Sequence, residues 1–386
     1  MIPYGRQDIT VEDIDAVVKT LTSDFLTQGP AVPKFESLVL EKTGAKYGVG
    51  VNSATSALHL ACMALDLSSD DWLWTSPITF VASANCGLYC GAKIDFIDID
   101  PDTYNVCPKA LEDKLVKAKT DGCLPKILVA VHLCGQSCDM IALSKLAKKY
   151  GFKIIEDASH AIGGSYLDKP IGSCIYSDIT VFSFHPVKII TTGEGGMCVT
   201  NSPFLAESMV LNRSHGITRD PQRMSKEPDG PWYYEQIGLG LNYRMTDLQA
   251  ALGCSQIKRL DAYVESRHKI NSLYSQALSK LPIKLPYQDP NCYSAFHLYV
   301  IRLNLSEINS SHRQVFESLR EAGIGVNLHY IPVYRQPFYQ KMGYIPSNFP
   351  NSESYYQEAI SLPMYPALTL REINHIHDSL ENALNG

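Results

Sequence analysis

Lys188 closes the segment Ser183-Phe184-His185-Pro186-Val187-Lys188, which runs on into Thr191-Thr192-Gly193-Glu194-Gly195-Gly196. The apolar run Ile179-Thr180-Val181-Phe182 ahead of it reads as a strand. A lysine just past a strand and before a glycine-rich turn can form a Schiff base. The strand fixes the amine, and the glycines let backbone approach a bulky cofactor. A single such lysine is also explained as a solvated surface charge. Two further segments favour chemistry.

The first is Ile154-Ile155-Glu156-Asp157-Ala158-Ser159-His160. Ahead of it Leu143, Leu146, Ala147 and Tyr150 keep a helical spacing, which predicts a helix from Asp139 to Tyr150 that Gly151 stops. The apolar run Ile127-Leu128-Val129-Ala130-Val131 comes earlier still. Strand, helix, strand is a parallel crossover, so Asp157 falls at a carboxyl end, where open α/β sheets bind ligands. An aspartate there can pair with the protonated pyridine nitrogen of pyridoxal phosphate and make the ring an electron sink; helix capping is the other use. The second segment is Gly50-Val51-Asn52-Ser53-Ala54-Thr55-Ser56-Ala57-Leu58. Tyr47 to Val51 reads as a short strand, and Leu58, Ala61 and Leu65 form a helical face. Ser53 or Thr55 then opens a helix whose free N–H groups and dipole can hold a phosphate, or simply caps it. Phosphate cradle, acidic partner and lysine in this order make a specific triple.

These motifs, with Asn242-Tyr243-Arg244-Met245-Thr246, resemble the nucleotide-sugar aminotransferases of the DegT/DnrJ/EryC1 family. The likeness extends from Tyr4 to the C-terminal helix. It implies the aspartate-aminotransferase fold (fold type I): a large mixed-sheet α/β domain with helices on both faces, and a smaller α+β C-terminal domain. By the resemblance Lys188 is the Schiff-base lysine and Asp157 the partner of the pyridine nitrogen. His160 lies near the cofactor's phenolic oxygen and Phe80 stacks on its ring. Ala54, Thr55 and Ser183 contact phosphate or cofactor, and Asn242 reaches the phosphate of the partner subunit. Tyr4, the turn Asp24-Phe25-Leu26-Thr27, Ser53, Ser183, His185, Asn242 and the segment His329-Tyr330-Ile331-Pro332 match regions that contact the sugar nucleotide. The His-Pro-Val-Lys wording and the opening Ile2-Pro3-Tyr4-Gly5-Arg6-Gln7 resemble the subgroup of pseudaminic acid biosynthesis. That implies transfer of the amino group of L-glutamate to C4 of a UDP-linked 4-keto-6-deoxy-N-acetylhexosamine, in a homodimer with shared sites. Another 4-keto nucleotide sugar is the alternative. A dehydratase of the same scaffold carries histidine in place of the lysine retained here.

At 386 residues and 45% apolar content, the chain has material for two cores. We expect a cofactor-binding domain over residues 1–260 and a smaller one over 261–386. A net charge of −6 without a basic run argues against a nucleic-acid face. No segment resembles a signal peptide or a membrane span, so a cytoplasmic enzyme is expected. Eleven cysteines suit a reducing compartment. Cys86 with Cys90, and His132 with Cys134 and Cys138, lack the paired spacing of a zinc site, so no metal is expected. Asp95, Asp98, Asp100 and Asp102 alternate with Phe96, Ile97 and Ile99, as a strand entering a turn does. His215 suits a loop contact or a substrate contact. Arg219 to Pro231 is a polar, breaker-rich loop, expected as an arm across a dimer, with some burial of Trp232, Tyr233 and Tyr234. Thr246-Asp247-Leu248-Gln249 is a capping box opening a helix toward Arg267. Beyond it we expect strands at Ala295–Leu303 and Ile324–Tyr330, and helices at Ser311–Ala322 and Arg371–Leu384.

Overall fold

The computed structural model describes residues 1–386. Its centre is a sheet of seven strands: β1 (Tyr47–Val51), β2 (Trp72–Thr75), β3 (Lys93–Phe96), β4 (Ile127–Val131), β5 (Lys153–Asp157), β6 (Ile179–Ser183) and β7 (Gly196–Thr200). They lie in the order β1-β7-β6-β5-β4-β2-β3. Strand β7 runs antiparallel to both its neighbours, and every other adjacent pair is parallel. The carboxyl ends of β2, β4, β5 and β6 therefore share one edge.

Alternation along each strand feeds two faces, as the two-residue period requires. Ile127, Val129 and Val131 pack into one core with Ala57, Leu58 and Ala61, whereas Leu128 and Ala130 join Leu111, Leu115, Leu143 and Leu146 in another. Near-continuous burial of β4, β5 and β6 follows from helices on both sides. The predicted helix before β5 is observed at Met140–Tyr150, capped by the Asp139 side chain and ended by Gly151 in the left-handed region.

On one face α3 (Ala54–Ala64) packs on α4 (Ala82–Tyr89) in the core of Ile127, Val129 and Cys198. On the other α2 (Ala31–Thr43) lays Val32, Phe35 and Val39 against Met197 and Val199, with α1 (Val11–Leu21) outside it on the helix that Thr246 opens. The Thr246 capping box is present. Its helix, however, ends at Gln256, and a short 3-10 turn, Ile257–Arg259, precedes a second helix, Leu260–Leu278. The bend is fixed from outside: Gln256 and Arg259 both donate to the buried carboxylate of Asp13. The second helix begins in one core, through Leu260 and Val264, and finishes in another with Ile270, Tyr274 and Leu278.

That last core is covered by a three-stranded antiparallel sheet of β8 (Ile283–Lys284), β9 (Tyr299–Leu303) and β10 (Ala359–Leu362). Helices His312–Glu321 and Leu370–Asn385 complete it. Two expected strands differ. Ala295–Leu298 is irregular because Ala295 and Leu298 donate to Gly135 and Cys134 rather than to a strand ladder. The stretch from Ile324 to Tyr330 makes only single bridges, Ile2 with Ile324 and Asn327 with Ser361. Segments also cross the expected boundary at 260. Ile2 pairs beside Ile324, while Val333, Tyr334, Tyr339 and Phe349 return to the core of the large sheet. Asp98 is a structural receptor for the Asn351 and Ser352 N–H groups, and Asp100 organises the turn at Thr103. The Arg219–Pro231 loop is closed by pairing of Ile217–Thr218 with Glu235–Gln236, and Trp232 stays 73% exposed within one chain.

Candidate active site

The shared carboxyl edge opens into a cavity of about 710 Å³. Strand ends and the loops after them bring Thr79, Phe80, Val131, Asp157, His160, Ser183, His185 and Lys188 to its wall. Backbone packing explains the glycines. A Cβ on Gly196 would stand 2.5 Å from the carbonyl carbon of Ser53, so only glycine lets β7 approach the loop that opens α3.

Ser53 caps α3 by accepting from the Ser56 N–H, and its carbonyl takes the Ala57 N–H. The N–H groups of Ala54 and Thr55, also in the first turn, remain for an anionic ligand. Asp157 is buried but not saturated by cations. One carboxylate oxygen accepts from Ser83 Oγ at 2.6 Å, the other from Ser159 Oγ at 2.6 Å and its N–H at 3.2 Å. Thr79 sits 2.8 Å from Ser83, extending the hydroxyl chain.

Lys188 shares its pocket with three buried imidazoles, His160, His297 and His329. Its Nζ lies 3.5 Å from His297 Nε2. Burial lowers the amine to about 8, against the opposing charge of Asp157. Burial and then the Lys188 charge hold His160 far below the usual imidazole range and bring His329 to about 3. Burial, then His160 and Lys188, depress His297 likewise. All three rings are neutral near pH 7. His160 Nδ1 accepts from the Cys134 N–H at 3.3 Å, so its Nε2 carries the proton and donates to Tyr330 Oη at 3.2 Å. Tyr330 also meets Phe80, ring centres 6.3 Å apart, and Tyr4 packs on His329 at 5.4 Å.

Twelve of the residues singled out from sequence thus meet in one cavity: Tyr4, Ser53, Ala54, Thr55, Phe80, Asp157, His160, Ser183, His185, Lys188, His329 and Tyr330. Seven do not line it within one chain. Asp24, Phe25, Leu26 and Thr27 are exposed, with Thr27 bridged to Thr246. Asn242 is exposed nearby, its carbonyl 3.5 Å from Asn52 Nδ2. Ile331 is exposed and Pro332 is buried away from the cavity. Conversely, Asn52, Ser159, Glu194 and His297 line the wall, and Ser83 stands behind Asp157. Ser159 and Glu194 lay inside the quoted motifs. His297 gave no signal, because only folding carries it to Lys188.

The donor set fits pyridoxal phosphate: an amine for the aldehyde, a carboxylate for a ring N–H, and free helix N–H groups for the phosphate. The overall architecture is the fold type I aminotransferase fold. The chain belongs to the DegT/DnrJ/EryC1/StrS aminotransferase family, whose model matches residues 7–381. It is 41% identical over 389 residues to the UDP-4-amino-4,6-dideoxy-N-acetyl-beta-L-altrosamine transaminase of Campylobacter jejuni subsp. jejuni serotype O:23/36, covering 100% of this chain and 98% of that one. Among solved structures it is similar to Helicobacter pylori PseC, an aminotransferase involved in the biosynthesis of pseudoaminic acid. That similarity has a TM-score of 0.90 and 32% identity, and covers 99% of both chains. The Streptococcus pneumoniae protein Spr1654, named a sugar aminotransferase and solved in a PLP form, matches with a TM-score of 0.88 and 26% identity. The match covers 99% of this chain and 98% of that one.

Proposed function

We propose that this aminotransferase moves the amino group of L-glutamate to C4 of UDP-2-acetamido-2,6-dideoxy-β-L-arabino-hex-4-ulose, a step of pseudaminic acid biosynthesis. The observation that carries the reading is the convergence of Lys188, Asp157 and the α3 N-terminus on one cavity. The full-length similarity to the Campylobacter transaminase supports the choice of sugar.

Pyridoxal phosphate supplies an electrophilic carbon and an electron-accepting ring. The chain's residues supply the rest. Ala54 and Thr55 hold its phosphate, Phe80 covers the ring, and Asp157, fixed by Ser83 and Ser159, keeps the ring nitrogen protonated. Lys188 takes the proton from Cα of glutamate and later delivers one to C4 of the sugar. An amine lowered to about 8 is available in both protonation states near neutral pH. Tyr4, Ser53, His329 and Tyr330 offer hydrogen bonds and apolar cover to the sugar.

Asp24–Thr27, Asn242 and the segment at Ile331 act, in this proposal, across a two-fold dimer with shared sites. Supporting it, α1 turns Val11, Ile14, Val18 and Leu21 to solvent, each more than half exposed, beside exposed Phe25 and Leu26. Residues 1–260 serve as the cofactor-binding part and 261–386 as the smaller part. We place the reaction in the cytoplasm, which keeps cysteines reduced.

Purified protein should be offered several 4-keto UDP- and dTDP-sugars with glutamate, and products weighed by mass spectrometry. The β-L-arabino 4-ulose should exceed dTDP-4-keto-6-deoxyglucose in kcat/KM by at least about a hundredfold, because a site built to pair polar groups rejects analogues that leave them unpaired. Equal or reversed preference removes this sugar. For the dimer, inactive Lys188→Ala chains mixed with inactive Asn242→Arg chains should regain partial activity. No rescue after verified subunit exchange would mean sites formed within one chain.

A further inference from the structure

His297 reaches Lys188 from a stretch that the fold clamps from two sides. On one, the Ala295 N–H donates to the Gly135 carbonyl and the Leu298 N–H to that of Cys134. On the other, the buried guanidinium of Arg267 donates from one nitrogen to the Phe296 and His297 carbonyls, at 3.1 and 3.3 Å. Phe296 is held at φ 46°, a left-handed conformation that a bulky residue keeps only where its surroundings impose it. Gly135 permits the close approach. A Cβ there would stand 2.8 Å from the Phe296 nitrogen and 3.1 Å from that of His297.

The ring so placed is 4% exposed and lines the cavity. Its Nε2 lies 3.5 Å from Lys188 Nζ, and it packs on the His160 ring with centres 4.3 Å apart. Its Nδ1 is buried without a hydrogen-bond partner in the protein. Burying a half-paired imidazole is less favourable than burying a phenyl ring in the same place. What the imidazole adds here is one nitrogen that faces the amine.

We propose, resting on the reading of Lys188 as the reacting amine, that His297 is its positioning residue: a bare Nε2 accepts a hydrogen bond from the ammonium and holds Nζ between taking a proton and delivering it. An ammonium has donors only, so its partner nitrogen is unprotonated and the His297 proton sits on Nδ1. A neutral amine can instead accept from a protonated Nε2. The bond from the ammonium is about twice as strong, so the contact favours the charged amine. Burial lowers Lys188 and the Asp157 charge opposes it; His297 acts with Asp157. His160 and His329 beside the pair are held neutral by burial, His185 and Glu194 stand on the cavity wall, and Arg267 lies behind the His297 carbonyl. Burial raises the phenols of Tyr4 and Tyr330, which keep their protons.

The test follows uptake of pyridoxal phosphate by cofactor-free, full-length protein against pH, read by absorbance. His297→Phe removes the acceptor, so the midpoint near 8 should fall by about one pH unit. At pH 7 its uptake is then about fivefold faster than in the parent, because more of the amine is neutral, while turnover of the loaded enzyme falls. His297→Gln sets an amide oxygen near the place of Nε2 and should restore the parental midpoint. His297→Asn sets its amide at the place of Nδ1, out of reach of the amine, and should behave as the Phe variant does; it serves equally where Phe disturbs folding. A midpoint that stays or rises in the folded Phe or Asn variant overturns the proposal, as does failure of Gln to restore it. Borohydride labelling separates the two readings. A pyridoxyl label away from Lys188 in the parent removes the amine assignment itself, whereas a label on Lys188 with an unmoved midpoint removes the role of His297 alone.

Discussion

Glu156 and Asp157 are neighbours on β5 and equally buried, at 5% and 6% exposure, yet they face opposite sides of the sheet. Glu156 is saturated. One of its oxygens takes His132 Nε2 at 2.7 Å, and the other takes Ser177 Oγ and Thr180 Oγ1. His132 in turn accepts the Cys138 N–H on Nδ1, which puts its proton on the nitrogen facing Glu156. Burial pushes Glu156 up, but donation from His132, Ser177 and Thr180 outweighs it and holds the carboxyl below its usual range. Asp157 has only hydroxyls and one N–H from the protein, and it opens on the cavity. Equal burial therefore does not distinguish a structural carboxylate from a working one. The difference is whether the protein fills all its acceptor positions or leaves room for a ligand.

The largest effect belongs to the amine. Lys188→Ala should cut turnover by about 10⁴-fold, the upper range for removing a general base, with Tm little changed. Borohydride should fix a pyridoxyl group on Lys188 in the parent protein, and a label on another lysine would refute the assignment. Asp157→Asn should raise the barrier by about 4 kcal/mol, roughly a thousandfold in kcat, while unfolding stays near the parent. Near-parental rates would mean that Asp157 is as structural as Glu156.

Glu156→Gln should do the reverse. Turnover per folded molecule is retained, while stability in urea falls by about 2–3 kcal/mol through lost hydrogen bonds to a buried charge. The pH dependence has a definite sign. Because the folded pKa lies below the ordinary 4.5, the unfolded chain binds more protons between the two values. The Glu156 contribution is therefore present above pH 4.5 and lost as pH falls through the folded value. Glu156→Gln should flatten that acid limb; an unchanged limb assigns it to other carboxyls.

Two smaller effects sharpen the contrast. Cofactor-free protein should take up pyridoxal phosphate at a rate that rises with pH to a midpoint near 8, where Lys188 becomes neutral, and not near the ordinary 10.5. Absorbance reads this directly, and a midpoint at 10 or above would show a solvated amine. Ser83→Ala, which frees one Asp157 oxygen, should cost about 1–1.5 kcal/mol in kcat/KM, the scale of one hydrogen bond. No change would leave Ser159 as the group that orients the carboxylate.

Local order along the chain was enough for the reactive triple and for the elements that carry it. An apolar run followed by Asp157, a capped helix after Ser53 and a glycine turn after Lys188 each follow from short-range patterning, and β1, β4, β5, β6 and α3 are found there. The Thr246 cap was equally legible, because a capping box is a contact within four residues. Long-range approach decided the rest. His297 stands 109 residues from Lys188, in a stretch whose apolar pattern suggests a strand but whose backbone bonds go to the Cys134–Gly135 loop. The Glu156–Asp157 doublet is likewise silent about which carboxylate works, since strand alternation sends them to opposite faces and only packing shows which face holds the cavity. Sequence determined which groups can react; the folded sheet determined which of them meet, because proximity across a hundred residues is a property of packing and not of order along the chain.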